Sequence, residues 1–211
     1  ATTTDQFNYT ASDGSLTSGA TLTITIFGTN DAPVAYADTN WTTEDVTSAI
    51  TGNVLQDITH GGAPSGTFAD VADTDVDSSL TVSTTGTFYG NYGTLTLGSN
   101  GAYSYTLYAT EADAIAHSAL GAAGYNNVQA LGLNATTTDQ FNYTASDGAL
   151  TNGATLTITI FSTNDAPVAV ADTNWTTEDE PVAITGNVLN NVDHTHVVPG
   201  DFADVADTDV D

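Results

Sequence analysis

The strongest constraint on this chain is that it repeats itself. Residues 1–77 align without a gap to residues 135–211 at a constant offset of 134, and 60 of the 77 aligned positions are identical. Whatever fold serves one copy must serve the other, so an array of similar units is expected, and a period of this size is settled before local patterns are read. ATTTDQFNYTASDG opens both copies, NDAPVA recurs at residues 30–35 and 164–169, and FADVADTDVD recurs at residues 68–77 and 202–211. Arrays of this kind usually hold things together or apart and seldom catalyse.

Charge narrows the partners. The chain has no Lys or Arg against 26 Asp plus Glu, a formal net charge of −26. Only a proton, a hydrogen-bond donor or an external cation can offset a carboxylate here. Nucleic acid and anionic membrane surfaces, which are bound through Lys and Arg, are not expected partners. Acidity alone can signal disorder, but 40% hydrophobic and 9% aromatic residues, with abundant Thr, Val, Ile and Tyr, describe a strand-rich globular chain. Self-repulsion still costs stability, and bound divalent cations are the simplest remedy. Without cysteine no disulfide staples the units. No apolar run nears the roughly 18 residues of a membrane span, and no basic segment opens a signal peptide. The chain starts inside a repeat, so a targeting segment is expected outside this window of a longer chain.

Asn30-Asp31-Ala32-Pro33 and Asn164-Asp165-Ala166-Pro167 mark the boundaries, because each Pro ends an alternating run and holds its predecessor extended. The expected units are residues 1–32, the back part of one repeat; residues 33–166, a complete repeat; and residues 167–211, the front part of the next. Strand signals are short and alternating. In residues 21–27, Leu22, Ile24 and Ile26 face one way and threonines the other; residues 155–161 copy the pattern. Residues 80–84, 93–97, 102–108 and 140–144 read likewise, with turns at residues 98–101 and at Asp147-Gly148. Short strands with turns between them predict an all-β fold of antiparallel sandwiches. The exception is the Ala-rich stretch 110–124, read as a short helix capped by Thr110. A further turn is expected at residues 128–131, both plugging an end of the sandwich.

GTLTLGSNGAYSYTLY, and then NNVQALGLNATTTDQFNYTASDGALTNGATLTITIFSTNDAPVA, resemble the VCBS repeat. The resemblance covers nearly the whole period and implies cadherin-like, immunoglobulin-like modules of large bacterial surface proteins and RTX-type adhesins, many of them calcium-dependent. Departures from the family pattern are the Ala-rich insert and the lack of basic residues.

Asp73-Thr74-Asp75-Val76-Asp77 places three carboxylates at alternate positions, expected to project to one side and to repel unless a cation lies among them. Ca²⁺ suits such a loop, taking six to eight oxygen ligands at about 2.3–2.6 Å in irregular geometry; zinc would want His or Cys. No EF-hand spacing is present. Similarity to cadherin junctions implies that Asn30 and Asp31 act as the acidic linker, with Asp73 and Asp75 as the downstream pair and Asp13 contributing from the upstream module. At the second junction it implies a group of Glu44, Asp147, Asn164, Asp165, Asp207 and Asp209. Glu44-Asp45 and its copy Glu178-Asp179 lie in TTED near the start of each repeat. Asp13 and Asp147 also fit plain hairpin-turn chemistry, and Asn-Asp-Ala-Pro also fits a strand cap.

The remaining candidates are weaker. His60, His117, His194 and His196 are the only imidazoles, and His194-Thr195-His196 reads as a surface loop before a transition-metal site. Ser118 beside His117 is no triad, and no carboxylate pair stands apart for glycoside hydrolysis, so no enzyme is expected. Trp41 and Trp175 read as packing anchors, with carbohydrate stacking as the alternative. The preferred reading is a structural repeat in an extracellular, calcium-stiffened array, stalk, sheath or filament on a cell surface, its partners being neighbouring copies of the repeat. The second is a calcium-dependent adhesin module binding carbohydrate or a host or biofilm surface. Filament formation by strand addition between chains would leave the equivalent of residues 78–134 missing from the joint, which favours a window of one continuous chain.

Overall fold

The computed structural model describes residues 1–179, 183–194 and 202–209. Strands β1 (Thr2–Ser12) and β2 (Thr17–Phe27) pair along their whole length, from Thr2 opposite Phe27 to Ser12 opposite Thr17. Eight further strands and two helices follow before the copy of this hairpin: β3 (Asp38–Thr43), β4 (Ile50–Asn53), β5 (Ile58–His60), β6 (Phe68–Asp70), β7 (Thr81–Val82), β8 (Gly86–Tyr89), β9 (Gly93–Leu97), β10 (Ala102–Leu107), α1 (Glu111–His117) and α2 (Ala123–Gln129). The copy is β11 (Thr136–Ser146) and β12 (Thr151–Phe161), and β13 (Val192–Asp193) pairs with β14 (Ala203–Asp204) beyond it.

Two four-stranded sheets, β4-β10-β9-β8 and β3-β12-β11-β7, make a sandwich. Their inner faces follow the two-residue period of a pleated strand. Phe141, Tyr143, Leu156, Ile158 and Ile160 from one sheet meet Leu95, Leu97, Tyr103 and Tyr105 from the other, all nearly excluded from water. Each such aliphatic side chain contributes roughly 1.5–3 kcal/mol by leaving water. The fold is thus all-β, as the alternation predicts, with one difference: β3 runs parallel to β12, with Asp38 opposite Leu156 and Thr43 opposite Phe161. The inward positions of β3 are Asp38, Asn40 and Thr42, so its polar composition hides it from an apolar-alternation search.

The helical insert forms with different bounds from those expected: α1 ends at His117 instead of running to residue 124, and α2 occupies Ala123–Gln129 where the sequence predicts only a turn at residues 128–131. Thr110 Oγ1 accepts from the Asp113 amide at 3.1 Å, satisfying an otherwise orphaned N–H of the first turn. Ala114 and Val128 are buried, and Val128 joins the sandwich core. Among the described residues no helix is long and apolar enough to cross a membrane.

Candidate functional site

β3 and β12 run the same way, which gives the sandwich a head, where residues 30–36 enter, and a tail, where residues 161–165 leave. The acids divide between these ends. At the tail, the Glu44 amide donates to Phe161 O at 3.0 Å, extending the β3–β12 ladder by one residue. This turns the Glu44 carboxylate onto the departing chain, where Oε1 accepts from the Thr163 amide at 2.6 Å and the Thr163 hydroxyl at 3.3 Å. Asp45 Oδ2 takes the same hydroxyl. Glu44 is 5% exposed, and its Oε2 is buried with no donor. Burial raises its pKa, and the charges of Asp165 and Asp45 push the same way against the Thr163 amide. A small cleft of about 100 Å³ opens beside it, lined by Glu44, Asp45, Tyr108, Tyr125 and Gln129. An orphaned carboxylate oxygen with two acids nearby suits a hard, oxygen-seeking cation.

At the head, the expected fan of Asp73, Asp75 and Asp77 is not what the chain builds. Asp73 turns inward: Oδ1 accepts from the Tyr36 amide at 2.7 Å, and the Tyr143 hydroxyl lies 3.2 and 3.1 Å from its two oxygens. Asp75 Oδ1 caps a turn at the amides of Asp77 and Ser78, both at 2.9 Å, leaving Oδ2 buried without a partner. Only Asp77 faces solvent freely, with its Oδ1 3.4 Å from the Ser78 hydroxyl. Local amides and one tyrosine hydroxyl compete for these carboxylates, and they win over simple alternation.

Asp147 also belongs to the head. Its Oδ1 accepts from the amides of Ala149 and Leu150 at 2.6 and 2.7 Å, and its Oδ2 accepts from Asn30 Nδ2 at 2.7 Å. These three donors hold its pKa below the usual carboxylate range. Grouping Asp147 with Glu44 is therefore corrected: β12 separates them, roughly 33 Å at 3.3 Å per residue. Asp13 makes the same turn at the tip of β1–β2, accepting from Ser15 and Leu16. The hairpin closes at its other end, where the Gly28 amide meets Ala1 O, so Asp13 is a strand length from Asn30 and does not join it. Asn164 Nδ2 donates to Asp165 O at 2.9 Å, as Asn30 does to Asp31 O at 3.1 Å. Asp207 Oδ1 takes the Val170 amide, as its copy Asp73 takes Tyr36. Asp31, Glu178, Asp179 and Asp209 are exposed. Among the described residues no three acid or histidine groups converge as a ready-made metal cage.

Sequence reading missed the buried acids of the interior. Tyr143 OH lies 2.8 Å from Asp38 Oδ2, so one hydroxyl serves Asp38 and Asp73 together. Asp70 receives the Tyr103 hydroxyl at 2.8 Å and the Asn53 amide at 2.7 Å, and His60 Nε2 stands 3.1 Å away. Asp139 takes the amides of Asn91 and Tyr92 and the Tyr105 hydroxyl. Burial raises the pKa of all three tyrosines, and the facing carboxylates add to it. Gly52 and Gly90 make room, since a Cβ on either would fall 2.2 Å from Asp70 Oδ2 or Asp139 Oδ2. The available signal was the pairing of inward-phased Tyr with Asp on predicted strands.

His194 lies in the chain just past β13, but its side chain is not at the surface as expected: its Nε2 lies 2.9 Å from Asp204 Oδ1 and repeats the His60–Asp70 pair; Thr195 and His196 lie outside the described residues. Trp41 packs edge-on to Phe161 at 6.2 Å and donates Nε1–H to His60 O, as a packing anchor does.

A search of curated proteins returns no match. Among solved structures, the endo-fucoidan hydrolase MfFcnA9 from glycoside hydrolase family 107 aligns over 74% of this chain and 22% of its own, at 13% identity and a TM-score of 0.28. A variant of the endo-fucoidan hydrolase MfFcnA4 aligns over 76% of this chain and 19% of its own, at 16% identity and the same TM-score. This chain thus spans about a fifth of the length of each, and likeness at that score carries no argument about fold or activity. The profile of the bacterial cadherin-like domain, in contrast, matches residues 30–162, which is the sandwich with its first junction sequence, ending just short of the second. The chain belongs to the bacterial cadherin-like domain family.

Proposed function

We propose that this chain is a structural repeat of an extracellular surface array whose joints are stiffened by Ca²⁺. The observation that carries this reading is Glu44: a carboxylate 5% exposed, one oxygen orphaned, set where the chain leaves the sandwich and beside Asp45 and Asp165. Leaving such an oxygen unpaired costs about 1–3 kcal/mol or more, and a cation removes that cost. In this reading Glu44, Asp45 and Asp165 supply the tail side of the joint, and the following repeat supplies Asp209. At the head, Asn30, Asp31 and Asp75 are the copies of Asn164, Asp165 and Asp209, and Asp77 and Asp147 add two further carboxylates. Bound Ca²⁺ supplies charge neutralisation and a shared anchor for oxygens from two repeats. The protein side contributes the orientation, since the Thr163 amide and hydroxyl fix the Glu44 carboxylate before any ion arrives.

Small-angle scattering with Ca²⁺ and then with excess EGTA tests the reading. The maximum dimension should be sharply defined with Ca²⁺ and should change on chelation. Glu44→Gln, which keeps the shape and loses the charge, should weaken Ca²⁺ affinity about tenfold by calorimetry, the order expected from a lost charged contact. An EGTA-insensitive profile sinks the proposal.

A further inference from the structure

The sandwich carries an open strand edge along its side. β7 pairs with β11 only at Ala145 and Ser146, and the Ser83 amide adds a bond to Thr144 O at 2.9 Å. The chain then crosses to the other sheet as β8. From Thr136 to Asn142, β11 therefore has β12 on one side and no strand on the other among the described residues. Main-chain groups along a strand point to alternate sides. Because Thr144 O points at Ser83, the N–H and C=O of Thr138, Gln140 and Asn142 point the same way, and among the described residues no main-chain partner meets them. We propose that this edge docks an extended, basic peptide segment of a partner protein, which adds to β11 as an antiparallel strand in line with β7 and turns a Lys or Arg side chain into the cleft beside it.

The cleft supplies the preference for a basic ligand. About 320 Å³ opens between the edge and the turn from β8 to β9, lined by Tyr89, Asn91, Ala119, Thr138, Asp139 and Gln140. Asp139 brings negative charge. Its carboxylate takes three neutral donors, the Asn91 and Tyr92 amides and the Tyr105 hydroxyl, and the chain has no Lys or Arg to offset it. Tyr89 brings an aromatic wall, 55% exposed and stacked on the His117 ring at 4.3 Å. A carboxylate and an aromatic ring lining one cleft suit an ammonium or guanidinium group. Unpaired ladder groups at a two-residue period suit another main chain. A lone cation would leave those ladder groups unused, so the two features together fit a basic strand.

Edge and walls are set before a partner arrives. β11 pairs with β12 without a bulge from Thr136 to Ser146, and residues 136–142 include no Pro, so the edge is straight and every position can donate. Ser118 Oγ donates to Asn91 O at 2.7 Å and ties the helical insert to the turn after β8. The Tyr108 hydroxyl donates to Gly90 O at 2.8 Å and holds the same turn. Little ordering is left for the protein side, which favours binding. The field of a chain at −26 draws a basic segment in and repels a second copy of the chain. On β11 the residues whose main chain faces the open side are those whose side chains point away from the core. An antiparallel partner strand obeys the same rule, so its outward residues bond β11 and its alternate, inward residues enter the cleft.

A labelled heptapeptide of alternating Thr and Lys, titrated into the full chain in EGTA and followed by fluorescence anisotropy, tests this. Binding should saturate, weaken as salt rises, and vanish when Glu replaces Lys. N-methylation of the Thr residues removes the donors that face β11 and should weaken binding about tenfold or more, whereas N-methylation of the Lys residues should not. In hydrogen exchange, the amides of Thr138, Gln140 and Asn142 should slow when the peptide is added. Gln140→Pro removes an N–H that nothing in the sandwich uses and should abolish binding. Tyr89→Ala, at an exposed ring, should weaken it about threefold to tenfold with the circular dichroism of the parent. Equal binding by the Glu peptide or by the Thr-methylated peptide, or protection outside residues 138–142, overturns the proposal. So does cellohexaose binding the cleft where the peptide does not, or no peptide binding up to about 1 mM.

Discussion

β1–β2 and β11–β12 are nearly the same hairpin in two surroundings. Both pair over eleven positions in one register, and both turn on an Asp whose Oδ1 holds the amides two and three residues on. Yet Ile158 and Ile160 are fully buried while Ile24 and Ile26 are half exposed. The hairpin is therefore a locally specified object, and its burial is conferred by neighbours: β3, β7 and the opposing sheet. Alternation and an Asp-Gly turn suffice to set pairing; they do not supply a core.

The largest expected departure between the copies comes from trimming equivalent side chains. Ile158→Ala should cost about 3–4 kcal/mol, a transfer loss plus a cavity, whereas Ile24→Ala in dilute solution should change stability by less than about 0.5 kcal/mol. Urea unfolding followed by tryptophan fluorescence separates them, and equal costs would mean that β1–β2 is packed against something after all.

A smaller effect should come from acid pairs that only the finished sandwich buries. Burial pushes Asp38 up to about 7, against the Val71 amide and the Tyr143 hydroxyl, with Asp70 and Asp73 adding repulsion; Asp73 is raised by burial too. A raised carboxyl binds its proton more tightly in the native state than in the unfolded chain, whose value is near 3.9. Stability should therefore fall as pH rises from about 4 through 7 and level off above. The loss between pH 5 and pH 8 should be on the order of 1–2 kcal/mol, below the full worth of the shift because solvent screens part of it. Asp38→Asn should flatten this slope in chemical-denaturation curves; an unchanged slope would assign the dependence to the general repulsion of a chain at −26.

The smallest difference should be at the turns. Asp147→Ala removes the turn cap and the Asn30 contact together and should lower the melting temperature of the sandwich by a few degrees in calorimetry. Asp13→Ala, which changes only a free hairpin tip, should leave that transition in place.

How far the molecule was legible depends on how local each feature is. The strand at residues 155–161, the turn at residues 98–101 and the Thr110 cap are written in adjacent residues, and all three form as read. Asp-Thr-Asn-Trp-Thr-Thr at β3 gives no strand signal, because the partners that make Asp38 and Asn40 tolerable inside, Tyr143 and Tyr103, lie 105 and 63 residues away. The acid motif at residues 73–77 was legible as a cluster but not as a geometry. One of its members is claimed by a distant tyrosine and another by its own turn.

By itself the sequence determined the repeat, the strand alternation, the turn chemistry and a charge that no Lys or Arg offsets. Those follow from side-chain period and composition, which act over a few residues at a time. Tertiary structure decided which hairpin is covered, that β3 runs parallel to β12, and which carboxylate oxygens are satisfied and which, at Glu44 and Asp75, are left over. A hydrogen bond across a hundred residues and the exclusion of water exist only once the sheets have met.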